Sequence, residues 1–299
     1  MGEKDISEKT LIAYNDVFAD IINVFVFHGE QVMQPSDLEN ALVHAQYKAE
    51  DGKLHEEERD VAKYWKKENV AIAFYGVENQ VKVDKHMPFR IIGYDGASYR
   101  AQLLDKRKNI VPVVTFVLYF GTERRWNYEK SIKELMEIPE ELAPYVSDYK
   151  INIIEIAWLS DEQLRMFKSD FGIVANFFVQ KRKNKDYEPD DGRIIKHVDE
   201  VLKLLSVMTG DNAYESILYD ENKYEEGKVN TMCEVAERLI NKGIERGMER
   251  GIERGIERGI EQEKLENAKN LLDLLSDEVI AERLKLPLET VKKLREEEM

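Results

Sequence analysis

The run IVPVVTFVLYF, residues 110–120, is almost continuously apolar and rich in β-branched and aromatic side chains, the pattern of a strand buried on both faces. Its neighbours decide the fold. Just upstream, residues 89–104 carry apolar side chains at helical spacing behind Pro88, a residue tolerated where a helix begins. Earlier still, residues 60–65 and 70–80 read as two short strands enriched in β-branched and aromatic residues. Leu11, Ile12, Val17, Phe18, Ile21, Ile22, Val24, Phe25 and Phe27 recur at helical spacing and predict a buried helix within residues 9–30. The order helix, strand, strand, helix, strand, with one helix crossing between strands, predicts an α/β fold: a mixed sheet flanked by helices. The stretch 46–58 is polar and gives no periodic signal.

Working outward toward the C-terminus, residues 151–158 read as a further strand and residues 161–178 and 192–208 as helices. Gly121, at the end of the apolar run, reads as a turn residue, since no GxxxxGK[ST] or GxGxxG pattern surrounds it. Trp126 and Trp158 are expected to pack in or at the edge of the core. The cluster Lys181-Arg182-Lys183-Asn184-Lys185 reads either as an ordinary exposed loop or as a track for a nucleic-acid backbone.

Composition sets outer bounds. With 44 Lys plus Arg against 59 Asp plus Glu, the 299-residue chain carries a formal charge of −15. That argues against a protein that coats polyanions generally, because such affinity comes from cations neutralising phosphates. Any nucleic-acid contact must be local. Hydrophobic residues make up 43% of the chain, enough to fill one or two cores. The single cysteine, Cys233, excludes an intrachain disulfide and suits a reducing compartment. The opening MGEKDISEKT has neither the apolar run of a secretory signal nor, with Ile6 where Ser or Thr is needed, a myristoylation pattern. Residues 110–120 are too few to span a bilayer, so a cytoplasmic location without membrane attachment is expected.

Beyond Tyr224 the texture changes. GIERGMERGIERGIERGIEQ, residues 243–262, repeats every four residues, and a helix turns about 400° in that interval, so each column drifts only about 40° per repeat. Gly243, Gly247, Gly251, Gly255 and Gly259 thereby form one slowly spiralling stripe beside Ile244, Met248, Ile252, Ile256 and Ile260. Either a self-associating helical arm or a flexible linker fits this pattern, since glycine costs a helix roughly 1 kcal/mol per position. The tail has Ser276 as an N-cap candidate and a break at Leu286-Pro287, giving the outline of a helix-turn-helix or of a small capping hairpin. Three segments result: residues 1–225, an arm over 226–275, and a tail over 276–299.

Two carboxylates sit at predicted strand ends: Asp60 opens one strand, and Glu78 closes the next. In a strand, residues two apart share a face, which groups Glu78, Gln80 and Lys82 if the strand extends that far. Oxygen donors of this kind suit Mg²⁺, which stabilises phosphoryl charge and acidifies an attacking water. The same two acids also read as solvated strand ends. His28, His44, His55, His86 and His197 have no paired spacing, and Cys233 has no nearby histidine.

The stretches RDVAKYW, GVENQVKVDKHMPFRIIGYDGASY and VPVVTFVLYFGTERRW, in this order, resemble the Rpn family of recombination-promoting nucleases, also described as transposases, within the PD-(D/E)XK nuclease superfamily. NDVFADIINVFVF resembles that family's opening helix, and the GIERG repeats with SDEVIAERL resemble its C-terminus, so the likeness covers nearly the whole chain. The resemblance implies a PD-(D/E)XK core and a Mg²⁺- or Mn²⁺-dependent DNA endonuclease that promotes recombination. It implies Asp60 and Glu78 as the paired acids, with the Asn79 carbonyl and Asp16 as further metal ligands. Gln80 stands where the superfamily usually has lysine; it can orient a water but not charge the site, which makes Lys82 a candidate substitute cation. Arg90, in MPFR, is a candidate phosphate contact, alongside Lys181, Arg182 and Lys183. The alternative is a catalytically degenerate member acting as an oligomeric interaction module. A homo-oligomer through the arm is expected in either case.

Overall fold

The computed structural model describes residues 11–41, 44–48, 54–58, 61–77, 85–104, 110–219 and 229–297. It divides into two compact units, Met1–Glu237 and Arg238–Met299.

In the first unit, helix α1 (Asn15–Phe25) precedes a five-stranded sheet of order β1-β4-β5-β6-β7. The strands are β1 (Leu38–Asn40), β4 (Val61–Trp65), β5 (Val70–Val77), β6 (Val113–Tyr119) and β7 (Asn152–Glu155). Strands β1, β4 and β5 are antiparallel neighbours, whereas β6 runs parallel to β5, and β7 parallel to β6. Helix α2 (Met87–Leu104) makes the crossover from β5 to β6 that a parallel pair requires. The expected mixed α/β sheet is therefore present. The polar stretch also holds structure: β2 (His44–Lys48) and β3 (Leu54–Glu58) form a separate antiparallel hairpin.

Alternation along β6 splits the core in two. Val117 and Tyr119 pack with Met87, Ile91 and Tyr94 of α2, with Trp126 and Ile151 completing the cluster. Leu118 and Phe120 turn to the opposite face. There Phe120 meets Phe178 at 5.1 Å and Phe171 at 6.5 Å, both on helix α4 (Phe171–Lys183). Val17, Phe18, Ile21 and Ile22 on α1 are fully buried. Edge strand β1 is tied to β4 by Lys63, whose buried ammonium donates to Asn40 Oδ1 at 2.5 Å; burial pushes its pKa down.

Three expected elements end differently, the two helices because a side chain captures backbone amides. The predicted strand over 151–158 stops at Glu155, and residues Ile156–Trp158 form a 3₁₀ turn instead. The predicted helix over 161–178 is two helices, α3 (Asp161–Met166) and α4, because Asp20 on α1 takes the amides of Lys168 and Ser169 between them. The helix expected over 192–208 begins only at Val198 (α5, Val198–Thr209), because Asp170 binds the amides of Lys196 and His197. A short helix α6 (Ala213–Ser216) follows.

Helix α7 (Met232–Leu271) is a single helix of 40 residues that contains every GIER repeat. Its stripe Ile240, Ile244, Met248, Ile252, Ile256 and Ile260 is 46–62% exposed, and a Cβ added at any of the five repeat glycines would meet nothing within 4 Å. The second unit closes on a small core of Ala268, Leu272, Ile280, Val291 and Leu294 from α7, α8 (Asp277–Leu284) and α9 (Leu288–Glu297). Arg295 caps the end of α7, donating to the carbonyls of Leu272 and Leu275 and to Asp277 Oδ1. Ser276 sits at the N-cap of α8 without a side-chain capping bond. Among the described residues, no helix is long and apolar enough to cross a membrane.

Candidate functional site

Strand register brings the start of β4 and the ends of β5, β6 and β7 to one end of the sheet. Val61, where β4 begins, pairs with Phe74, near the end of antiparallel β5. Val77, the last residue of β5, pairs with Tyr119, the last of β6, and Tyr119 in turn pairs with Glu155 at the end of β7. The chain thus enters β4 and leaves β5, β6 and β7 at the same edge, the carboxyl end of the parallel strands, where open α/β sheets commonly bind ligands. Asp60 directly precedes Val61 in sequence and Glu78 directly follows Val77. Asp60, Glu78, Asn79, Gln80 and Lys82 themselves lie outside the described residues. Among those described, no group of three or more His, Cys, Asp or Glu could hold a metal ion.

Arg90 stands in the first turns of α2, half-buried, with its guanidinium 3.2 Å from the Tyr94 hydroxyl one turn on. One residue further, Asp95 is buried against the sheet, accepting from Thr115 Oγ1 at 2.6 Å and from the Tyr149 hydroxyl. This acid was not singled out in the sequence; nothing in GYDGASY marks it as core-facing except its helical offset of four from Ile91.

Asp16 is committed elsewhere. Its Oδ2 accepts from Lys196 Nζ at 2.6 Å and lies 3.4 Å from His197 Nε2. Burial opposes its ionisation, but the hydrogen bonds from Lys196 and His197 outweigh that and hold its pKa below the usual value. The His197 ring stacks on Tyr14 at 3.8 Å, and the Tyr14 hydroxyl donates to Glu200, which raises the phenol's pKa. The carboxylate that the resemblance offered as a side support for a metal therefore pairs with the Lys196 ammonium beside the His197 ring, and it joins α1 to the start of α5.

Lys181, Arg182 and Lys183 are not a loop but the last turn of α4, where cations complement the helix dipole. Arg182 Nε donates to the Ala157 carbonyl at 2.7 Å, and its guanidinium lies 4.5 Å from the Trp158 ring centre; Lys183 pairs with Asp161 at 3.2 Å. Arg182 is thus largely a packing residue that ties α4 to the turn after β7. Cys233 is exposed.

The segment GTERRW after β6 has a rigid geometry that the sequence reading passed over. Tyr119 donates to the Arg124 carbonyl at 3.0 Å, Trp126 N donates to Glu155 Oε1 at 2.8 Å, and Trp158 Nε1 donates to the Gly121 carbonyl at 3.0 Å. Gly121 is required there, because a Cβ would fall 2.0 Å from the Tyr119 ring. The loop so fixed presents Arg124 beside Tyr128 and Arg125 over Trp158. The signal available in sequence was a pair of arginines directly after the glycine that ends a buried strand.

Comparison with known proteins bears on the same region. No curated protein and no solved structure matches the chain. The profile of one family, described as "Putative transposase, YhgA-like", matches residues 30–208, which span the whole sheet, both of its parallel pairs and helices α2 to α5. That match covers more than half of the chain, and the chain therefore belongs to the YhgA-like transposase family.

Proposed function

We propose that this protein is a metal-dependent DNA endonuclease with a PD-(D/E)XK-like core, whose cuts promote recombination. The observation that carries the reading is the register just described: β4 begins and β5 ends at one sheet edge, so Asp60 and Glu78 are attached to neighbouring strand ends. Membership of a transposase family makes phosphodiester chemistry on DNA the natural use of two such acids. Asp60, Glu78 and the Asn79 carbonyl form an all-oxygen donor set, which fits Mg²⁺ or Mn²⁺ rather than a softer metal. When bound, the ion would stabilise charge on the phosphoryl oxygens and acidify a water. Gln80 orients the attacking water through its amide, and Lys82 supplies the positive charge that glutamine lacks. Arg90 contacts phosphate from the start of α2. Asp16 is left out of the ligand set, since Lys196 and His197 already engage it.

The chain works as a pair, joined by parallel α7 helices. Around a helix with about 100° per residue, the Gly, Ile, Glu and Arg columns of the repeat follow one another in that order. With the seam between the Gly and Ile columns, a parallel partner that coils with the roughly 40° drift of those columns sets each Ile against a Gly and puts a Glu column and an Arg column on the same flank. An antiparallel partner would set like charges together. The exposed isoleucine stripe and the open space beyond the glycines suit this seam.

Plasmid cleavage in Mg²⁺, Mn²⁺ and Ca²⁺, on wild type and on the Asp60→Ala/Glu78→Ala double variant, tests the reading. Metal-dependent nicking lost in the double variant supports it; cleavage retained in the purified double variant sinks it. The second reading, a degenerate interaction module, is favoured by Gln80 in the place of lysine. Calorimetry showing no Mg²⁺ or Mn²⁺ binding, even with DNA present, would establish that one instead.

A further inference from the structure

We propose that the loop after β6 is a phosphate-contact site for the nucleic-acid backbone, with Arg124 and Arg125 as the contacting residues and Trp158 and Arg182 as their support. The inference rests on the nuclease reading and names where the substrate strand is gripped.

The position comes first. The loop leaves β6 beside the end of β5, since Tyr119 and Val77 are paired in register, and so lies at the sheet edge to which Glu78 is attached by sequence. Rigidity is the second point. Hydrogen bonds from Tyr119, Trp126 and Trp158 to three separate partners fix the loop backbone. A loop held in that way loses little conformational freedom when a ligand arrives.

The third is the chemistry of the two side chains. Arg124 donates to the Tyr128 hydroxyl at 3.3 Å, so its charge stays available to an anion. Arg125 is 64% exposed, its guanidinium lies 5.1 Å from the centre of the Trp158 ring, and it forms a long ion pair with Glu155 Oε2 at 3.7 Å, an exposed contact that a phosphate oxygen would share. Glu155 is already the acceptor for the Trp126 amide. Stacking on an aromatic ring orients a guanidinium while leaving its N–H fork free, which is why arginine rather than lysine suits phosphate at such a place. Arg182 also lies over Trp158 and holds it from α4 through the Ala157 carbonyl, which makes it a positioning residue. In a chain of charge −15, two adjacent cations on a fixed loop give the local contact that the composition demands.

The test is binding of the full-length protein to a short fluorescein-labelled duplex in Ca²⁺, followed by anisotropy across a salt series. Each phosphate neutralised on duplex DNA contributes about 0.9 to the slope of log K against log salt. The Arg124→Ala/Arg125→Ala variant should lose about 2 from that slope, and Arg124→Lys/Arg125→Lys should restore most of the slope with weaker binding at every salt concentration. If wild type binds and the alanine variant keeps both slope and affinity, the loop is not the contact, while the nuclease reading stands. If wild type binds no DNA with Ca²⁺ or Mg²⁺ present, the nuclease reading fails, and this inference with it. Circular dichroism of each variant, unchanged from wild type, excludes misfolding as the cause of a lost slope.

Discussion

Replacing Asp20 tests whether helix α1 is pinned to the α3–α4 turn as the structure describes. Asp20 is 3% exposed, and its Oδ2 accepts from Lys168 N at 2.8 Å and Ser169 N at 2.7 Å. Its Oδ1 is buried without a hydrogen-bond partner among the described residues. Hydrogen bonds to a charged group are worth about 1.5–3 kcal/mol each, and a buried amide left unpaired costs about 1–3 kcal/mol. Offsetting this, Asp20→Ala releases the desolvation penalty of the carboxylate, so the net loss should be about 3 kcal/mol. Asp20→Asn keeps a carbonyl acceptor for the two amides but sets an NH₂ group where Oδ1 stands, and should cost about 1 kcal/mol. Urea unfolding followed by tryptophan fluorescence is the assay. All three tryptophans, Trp65, Trp126 and Trp158, lie in the first unit, so the signal reports that unit alone. The pH dependence adds a sign. Burial raises the Asp20 pKa above the ordinary 3.8 against the opposing bonds from Ser169 and Lys168. The folded state thus holds the proton more tightly. Stability linked to Asp20 is greatest below pH 3.8 and declines as pH rises through the folded value, a slope that Asp20→Asn should abolish. An Asp20→Ala variant within about 0.5 kcal/mol of wild type would refute the reasoning, since two buried amides cannot lose their acceptor at so small a cost.

Other outcomes follow from the same physical rules. Asp16→Asn should cost about 1 kcal/mol at neutral pH after allowing for solvent screening. Because the folded pKa of Asp16 is lowered, wild type and variant should converge as pH falls through that folded value, which urea midpoints across the acid range would show. Ile252→Glu/Ile256→Glu should convert the proposed pair to a monomer, read as a halved mass by light scattering; an unchanged mass would overturn the proposed α7 seam.

The parts of the fold that were legible in the sequence are those with one strong period. Residues 113–119 and 87–104 carry such signals, and the structure puts a strand and a helix there within a few residues of the expected ends. What escaped was set by contacts distant in sequence. Residues 167–170 keep helical apolar spacing, and only Asp20, some 148 positions away, breaks the helix by taking its amides. Likewise, Asp170 delays α5 by binding amides 26 and 27 residues on. Strand β1 is three residues long and charged, too short for any period to register. For the site, the sequence marks Asp60 and Glu78 by their places beside predicted strands, and both lie outside the described residues. The fate of Asp16 depends on Lys196 and His197, which no local pattern links to α1.

The four-residue period of α7 has a consequence for recognition between copies. In the pairing proposed above, sliding one helix past its partner by four residues, about 6 Å along the axis, with a turn of about 40°, returns glycine to glycine's place and isoleucine to isoleucine's. Such a seam would be a ruler whose divisions are nearly all alike. Only Met248 among the isoleucines and Gln262 at the end of the arginine column break the sameness. They would be the two graduations by which one copy could tell which division of the other it had met.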